Sequence, residues 1–143
     1  MFKTELRTAV FLAGLTQIAI AASSLAIPRL LHWREETARL VPLTRQVFWT
    51  YAGYIFATNL AFGVLSTVAP AILLDGSALA AAVAGFIALY WLGRVAVQFT
   101  IYDRTAASRP LFVIAELLYV LAFLYLGIVY AVAAAFNAGW GLR

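Results

Sequence analysis

The sequence contains no cysteine and only one histidine, and these absences exclude several kinds of scaffold and metal centre. A chain without cysteine cannot be a small secreted module held together by disulfides. A single histidine excludes a haem ligated by two histidines of one chain and a di-iron centre built from two Glu-x-x-His motifs. His32, Glu35 and Glu36 have helical spacing, but they lack the further ligand that a metal site needs. We therefore expect no metal ion and no cofactor.

Charge is also scarce in this chain. Only 11% of its residues are charged, whereas about a quarter are charged in soluble domains. The chain is 65% hydrophobic and has a mean hydropathy of +0.94. This composition excludes a soluble enzyme and a disordered segment, and it indicates a small integral membrane protein. A net charge of +4 on such a protein indicates contact with anionic lipid headgroups and not with nucleic acid.

Long uncharged runs take up most of the 143 residues. They cover 8–27, 46–74, 76–93 and 117–142, and a helix needs roughly 20 apolar residues to cross the hydrocarbon core. We predict a single transmembrane domain over 1–143, with spans near 5–27, 43–68, 77–102 and 109–136. The predicted fold is an all-α integral membrane protein, a four-helix transmembrane bundle. A short interfacial amphipathic segment lies in its first loop, 28–42.

The first run has an alternative interpretation as a cleaved signal peptide. Lys3 and Arg7 precede the apolar stretch, and the sequence at 19–21, Ala-Ile-Ala, resembles a signal-peptidase site. The apolar run nevertheless continues to Ile27, which makes it long enough to span a membrane. We therefore expect a retained span.

Turn and cap residues mark the predicted helix ends. Pro42 suits the first turn of the second helix, where an amide has no partner within the helix. The pair at 69–70, Ala-Pro, predicts that this helix ends or kinks there, and Ser77 is the predicted N-cap of the third. Asn137 and Gly139 predict the end of the fourth helix.

The distribution of lysine and arginine predicts how the four spans are oriented. The first and third loops, with the helix ends beside them, carry more than twice as many basic residues as the opposite side. We therefore predict that these loops are cytoplasmic and that both termini lie outside. No mitochondrial type of leader is visible, so we expect a bacterial inner membrane. The loop residues counted are Arg29, Arg34, Arg39, Arg45, Arg94, Arg104 and Arg109, and those on the other side are Lys3, Arg7 and Arg143.

The first loop has an amphipathic pattern. A helix over 29–41 would place Leu30, Trp33 and Leu40 on one face and Glu35 and Glu36 on the other. Such a segment is typical of a helix that lies in the membrane interface, with its tryptophan at headgroup level and its arginines near anionic lipid.

Two charges fall inside the predicted spans. Arg94 in the third helix and Glu116 in the fourth lie at similar depth, roughly 10–13 Å from the same membrane face. Because an unpaired charge there is costly, we predict an ion pair between them that faces the bundle interior. The alternative is that these residues only lock helix packing. The candidate intramembrane polar site comprises Arg94, Glu116, Gln98, Tyr90, Tyr119, Tyr51 and Tyr54.

Small residues recur at helical spacing on two predicted spans. One set is Ala81, Gly85 and Ala88 on the third helix, and the other is Gly53, Ala57 and Ala61 on the second. Such stripes let a neighbouring helix approach closely. They predict either packing within one chain or contact between copies in a homo-oligomer.

One short stretch is similar to a known family. The sequence YWLGRV at 90–95 resembles the aromatic-then-arginine stretch in the third helix of the membrane-associated eicosanoid and glutathione metabolism family. That resemblance implies a membrane enzyme on a lipophilic substrate, with Arg94 binding an anionic group. However, the second helix contains Asn59 but no carboxylate between Arg45 and Leu74, where the family has an Asn/Glu pattern. The general outline is also similar to small four-helix bacterial proteins of the DoxX type, without a shared motif, and we assign the chain to neither family.

Three functional hypotheses remain open. The first is a non-enzymatic accessory, assembly or lipid-binding component of the membrane, with no catalytic residues. The second is an oligomeric small-molecule or ion transporter that uses Arg94 and Glu116. The third is a membrane enzyme. The expected partners are the bilayer and its anionic headgroups, together with a second copy of the chain or another membrane protein.

Overall fold

The computed structural model describes residues 1–101 and 110–140, and all regular secondary structure in these two ranges is helical. Four helices there are long and apolar enough to cross a membrane, as the uncharged runs predict. The six α-helices are α1 (Phe2–Ser24), α2 (Ile27–Leu30), α3 (Trp33–Ala38), α4 (Pro42–Val68), α5 (Ala78–Thr100) and α6 (Pro110–Asn137), and a 3-10 turn covers Ile72–Leu74. Of the arginines used to predict orientation, Arg104, Arg109 and Arg143 lie outside the described residues.

The four long helices pack as two antiparallel pairs. α1 packs along α4, α5 packs along α6, and α1 also contacts α6, which joins the pairs. α4 and α5 meet mainly through aromatic side chains, where the Phe62 ring lies edge-on to the rings of Phe86 and Tyr90. The apolar core is drawn mainly from α1, α5 and α6, while α4 buries fewer side chains.

Two glycines set the close approach of α1 and α4. A Cβ on Gly14 would lie against the side-chain oxygen of Thr67 and only 2.9 Å from the carbonyl oxygen of Gly63. A Cβ on Gly63 would lie 2.8 Å from a side-chain carbon of Ile18. The crossing therefore requires both glycines, as at other close contacts of transmembrane helices.

The predicted small-residue stripes have different surroundings. On α5, a Cβ on Gly85 would lie 3.9 Å from the Cβ of Ala134, so this stripe packs against α6 within the chain. On α4, Gly53, Ala57 and Ala61 are exposed, and a Cβ on Gly53 would meet nothing within 4 Å. Packing within one chain therefore accounts for the α5 stripe and not for the α4 stripe.

The connection between α4 and α5 confirms the two helix ends that were predicted from Pro70 and Ser77. α4 ends at Val68, just before Pro70, and the Ser77 hydroxyl accepts a hydrogen bond from the Ala80 amide at 3.0 Å. The Asp75 carboxylate accepts a hydrogen bond from the Ser77 amide at 2.8 Å, and hydrogen bonding with Ser77 lowers the pKa of Asp75. A hydrogen-bonded turn therefore holds the start of α5 in place.

The end of α6 is joined to the same connection through Asn137. Its side-chain nitrogen donates to the Leu73 carbonyl at 2.8 Å, and its side-chain oxygen accepts from the Gly76 amide at 2.9 Å. Gly139 follows with a φ of 77°, a left-handed conformation that ends helices at low cost for glycine. Both residues lie at the end of the fourth span, as predicted.

The first loop differs from the continuous helix considered over 29–41. The chain forms two short helices, α2 and α3, separated at His32, whose φ is 51°. Glu35, Glu36, Leu30 and Leu40 are all exposed on the protein surface. The break at His32 changes the relation between the two faces, so the hypothesis of one amphipathic helix over this whole range is wrong.

Candidate functional site

The candidate polar site contains two tyrosines that lie on the outside of the bundle. Tyr51 is 64% exposed and Tyr54 is 67% exposed, both on α4. Their spacing of three residues places them on one face of α4, and that face points away from the other helices. These two side chains are therefore available to lipid or to a partner.

The charged members of the candidate site are half-buried between α5 and α6. The Gln98 amide donates to a carboxylate oxygen of Glu116 at 3.1 Å, which brings these two predicted residues together. The guanidinium carbon of Arg94 lies 5.5 Å from the centre of the Phe123 ring, within the range of a cation–π contact. The ion pair between Arg94 and Glu116 stays a prediction.

The other two tyrosines of the candidate site bond to different helices. The Tyr90 hydroxyl donates to the side-chain oxygen of Asn59 at 2.7 Å and so joins α5 to α4. The Tyr119 hydroxyl lies 2.7 Å from the Ser23 hydroxyl and joins α6 to α1. Both groups therefore form hydrogen bonds between helices, as the packing alternative expects.

The most deeply buried polar group is a network to which each long helix contributes one side chain. The Gln17 amide nitrogen donates to the Tyr130 hydroxyl at 2.6 Å, and the Trp91 indole nitrogen donates to the Gln17 carbonyl oxygen at 3.0 Å. The hydroxyl oxygens of Tyr130 and Ser66 lie 2.5 Å apart. All four side chains have no exposed surface. The network joins α1, α4, α5 and α6 at one point.

The donors and acceptors of this network balance. Ser66 donates its hydrogen to the Phe62 carbonyl at 2.8 Å, so the Tyr130 hydroxyl supplies the hydrogen shared with Ser66. The Tyr130 oxygen in turn accepts the hydrogen from Gln17. Among the described residues, no buried side-chain nitrogen or oxygen is left without a hydrogen-bond partner. The network is therefore complete without a ligand.

Sequence reasoning did not find this network. Of its four members, Gln17 is the one that the sequence marks, as an amide within an apolar run. Ser66, Trp91 and Tyr130 are ordinary residues of transmembrane helices, and their meeting depends on how four helices rotate against one another. The usable signal is that an amide at such depth needs partners on neighbouring helices.

A second group of functional interest lies where the first loop meets α4. The rings of Trp33, Phe48 and Trp49 pack edge to face, with centroids 4.9–6.1 Å apart. The Trp49 indole nitrogen donates to the Thr37 hydroxyl at 3.3 Å, and that hydroxyl donates to the Trp33 carbonyl at 2.6 Å. These contacts fix α3 against the start of α4.

Two surface concavities of the described residues lie at the ends of the bundle. One, of about 380 Å³, lies beside the aromatic group and is lined by Arg34, Thr37, Arg45 and Trp49. The other, of about 500 Å³, is lined by Met1, Phe2, Lys3, Leu74, Asp75, Gly76 and Phe136. Both open to the surface and neither includes a residue of the predicted intramembrane site.

Comparison with protein-family models, with curated proteins and with solved structures finds no match for this chain. The fold defines a class, an all-helical protein with four helices long and apolar enough to cross a membrane. The functional argument rests on that class and on the geometry of these sites.

Proposed function

We propose that this protein is a non-enzymatic membrane component, an accessory or assembly subunit that acts through its lipid-facing and partner-facing surfaces. The observation that supports the proposal is the complete hydrogen-bond network of Gln17, Ser66, Trp91 and Tyr130. It fills the place between the helices where a carrier or a membrane enzyme would hold its substrate.

The energetics of the network favour a structural role. A transport site has to exchange its protein hydrogen bonds for bonds to substrate, and that exchange is cheap only when water or substrate can reach the groups. Here the four side chains have no exposed surface and satisfy one another. Opening the network in a bilayer would leave polar groups in hydrocarbon, which costs free energy for each unpaired group. The interior is therefore suited to hold one packing arrangement.

The outer surface of α4 supports the second half of the proposal. Of the four candidate spans, α4 has the smallest buried share. Its exposed face includes Tyr51, Tyr54 and the small residues Gly53, Ala57 and Ala61. A face with small residues beside large aromatic ones suits close contact with another helix, from a second copy or from a different membrane protein.

Reconstitution distinguishes this proposal from the transporter alternative. Protein purified in a mild detergent is placed in liposomes, and proton and anion flux is compared with that of protein-free liposomes. We expect no protein-dependent flux, and we expect native mass spectrometry of the gently extracted protein to show a complex of fixed stoichiometry. Flux that is abolished by Arg94→Gln or Glu116→Gln, in variants with unchanged thermal stability, would overturn the proposal in favour of a carrier.

We also propose a location and orientation, a bacterial inner membrane with both termini outside. The support is the excess of arginine around the first and third loops. Reporter insertions after Glu36 and after Asp75 test the orientation, since these positions lie in successive loops. We expect a cytoplasmic reporter to be active only at the first position. Activity only at the second would reverse the assignment.

A further inference from the structure

We infer that the concavity between α3 and α4 binds the phosphate of an anionic phospholipid through Arg34 and Arg45. The inference deepens the proposed function, because it assigns a ligand class and a site to the lipid-facing surface. It does not depend on whether the protein has a partner.

The two arginines are presented by helices that are fixed to each other. Arg34 and Thr37 are three residues apart on α3, while Arg45 and Trp49 are four apart on α4, so each pair lies on one helix face. The hydrogen bond from Trp49 to Thr37 joins the two faces, and Thr37 is buried at that contact. Both arginines therefore line one concavity, together with the hydrogen-bonded pair of Thr37 and Trp49.

The acidic residues of the first loop leave these two arginines available. Glu35 lies 3.9 Å from the His32 imidazole, and Glu36 lies 3.9 Å from the Arg39 guanidinium. Neither of these contacts includes Arg34 or Arg45. Two cations border one concavity, and the neighbouring carboxylates interact with other residues.

The position of the concavity favours a lipid over a soluble anion. Arg45 immediately precedes the long uncharged run that begins at Gln46, so it lies where a span enters the headgroup region. Trp33 and Trp49 pack beside it, and tryptophan is enriched at that level of the membrane. A phospholipid whose phosphate is bound here would have its acyl chains alongside the exposed apolar surface of α4.

The chemistry of guanidinium selects the ligand. Arginine donates two parallel hydrogen bonds to phosphate oxygens. A phosphoglycerol headgroup has a net negative charge for the two arginines to compensate, whereas a zwitterionic headgroup carries its own cation. The volume of about 380 Å³ lies at the lower end of small-molecule sites and accommodates a phosphoglycerol headgroup. We therefore assign phosphatidylglycerol-like lipids as the ligand class.

Native mass spectrometry in detergent, with added phosphatidylglycerol or phosphatidylcholine, tests this site. The variant R34Q/R45Q is compared with R29Q/R39Q, which loses the same charge from the same segment but leaves the lining of the concavity intact. We expect phosphatidylglycerol retention to fall on the order of tenfold in R34Q/R45Q, because charge-assisted hydrogen bonds are lost, and less than twofold in the control. Phosphatidylcholine retention should be low and equal in all three proteins.

Two further arms separate the competing explanations. R34K/R45K keeps the charge but not the paired donors, and we expect an intermediate loss of phosphatidylglycerol. Inorganic phosphate at millimolar concentration should not displace the lipid, and displacement would overturn the assignment in favour of a soluble phosphate. An equal loss of lipid in R34Q/R45Q and R29Q/R39Q would also overturn it, since general charge would then explain binding. Flux and partner measurements do not enter this test, so failure here leaves the proposed function standing.

Discussion

The side-chain nitrogen of Gln17 lies 2.6 Å from the hydroxyl of Tyr130, a hydrogen bond between residues 113 positions apart in the sequence. It fixes the rotation of α1 against α6, and the bonds from Trp91 and to Ser66 extend the same constraint to α5 and α4. Lipid tails are as apolar as the helix faces, so burial alone distinguishes poorly between packing arrangements. Polar contacts of this kind then determine which arrangement forms.

Tyr130→Phe should lower the free energy of unfolding in detergent by about 1–2 kcal/mol, because Gln17 and Ser66 each lose a buried partner. Tyr125→Phe is the matched control on the same helix. The Tyr125 hydroxyl donates at 3.2 Å to the Ala9 carbonyl, at a position that is 36% exposed, so the loss should be smaller. Denaturant titration followed by circular dichroism measures both, and equal losses would show that the network adds nothing to an ordinary surface bond.

Gly14→Ala should destabilise the protein by about 1–3 kcal/mol, since the added methyl group meets the backbone of α4 at Thr67 and Gly63. Gly53→Ala has no such contact within 4 Å and should be neutral or stabilising in the isolated chain, because alanine favours the helix. Thermal unfolding in detergent compares the two. A Gly14→Ala protein as stable as the unmodified chain would contradict the close α1–α4 crossing.

Asn137→Ala should cost about 1–2 kcal/mol, because the buried side chain joins the Leu73 carbonyl and the Gly76 amide to α6. Hydrogen exchange of the Gly76 amide should become faster in the same variant. Asp75→Asn is the control, since its side-chain oxygen still accepts from the Ser77 amide. Unchanged protection of Gly76 after Asn137→Ala would show that this connection is held by other contacts.

A double-mutant cycle tests the predicted pair of Arg94 and Glu116. Each single change to glutamine should lower thermal stability, and the double change should lose less than the sum, with a coupling on the order of 1–2 kcal/mol. Both residues are half-buried, so the losses should fall below the 3–5 kcal/mol of a fully buried pair that is broken. Strict additivity would show that the two groups act independently, with Glu116 held by Gln98.

The sequence predicted the four spans well because their signals are local. A run without charge predicts a span, Pro70 ends α4, and Ser77 caps α5, each by the physics of a few neighbouring residues. The continuous helix over the first loop was the exception. His32 has a left-handed conformation at the break, Trp33 beside it packs on Phe48 of α4, and no glycine or proline marks that position in the sequence.

Which site residues meet depends on how each helix is rotated about its axis, and residue spacing along one helix does not reveal that rotation. The spacing of Tyr51 and Tyr54 indicates a shared face of α4, but it cannot show that this face points outward. The hydrogen bond between Gln98 and Glu116 could be predicted from the sequence, because α5 and α6 are antiparallel neighbours. The contact between Ser66 and Tyr130 could not be predicted, since α4 and α6 are neither consecutive nor packed along their lengths.

The network also determines when the fold can be completed. Tyr130 lies on the last of the four helices in chain order, and spans enter the membrane before they assemble side by side. Until α6 is in place, the Gln17 amide nitrogen and the Ser66 hydroxyl lack the partner that joins them. In the absence of α6, the first three long helices would therefore leave two polar side chains of this network without their shared partner. Tyr130 of the fourth long helix satisfies both, so the complete network can form only after the last of these helices is in place.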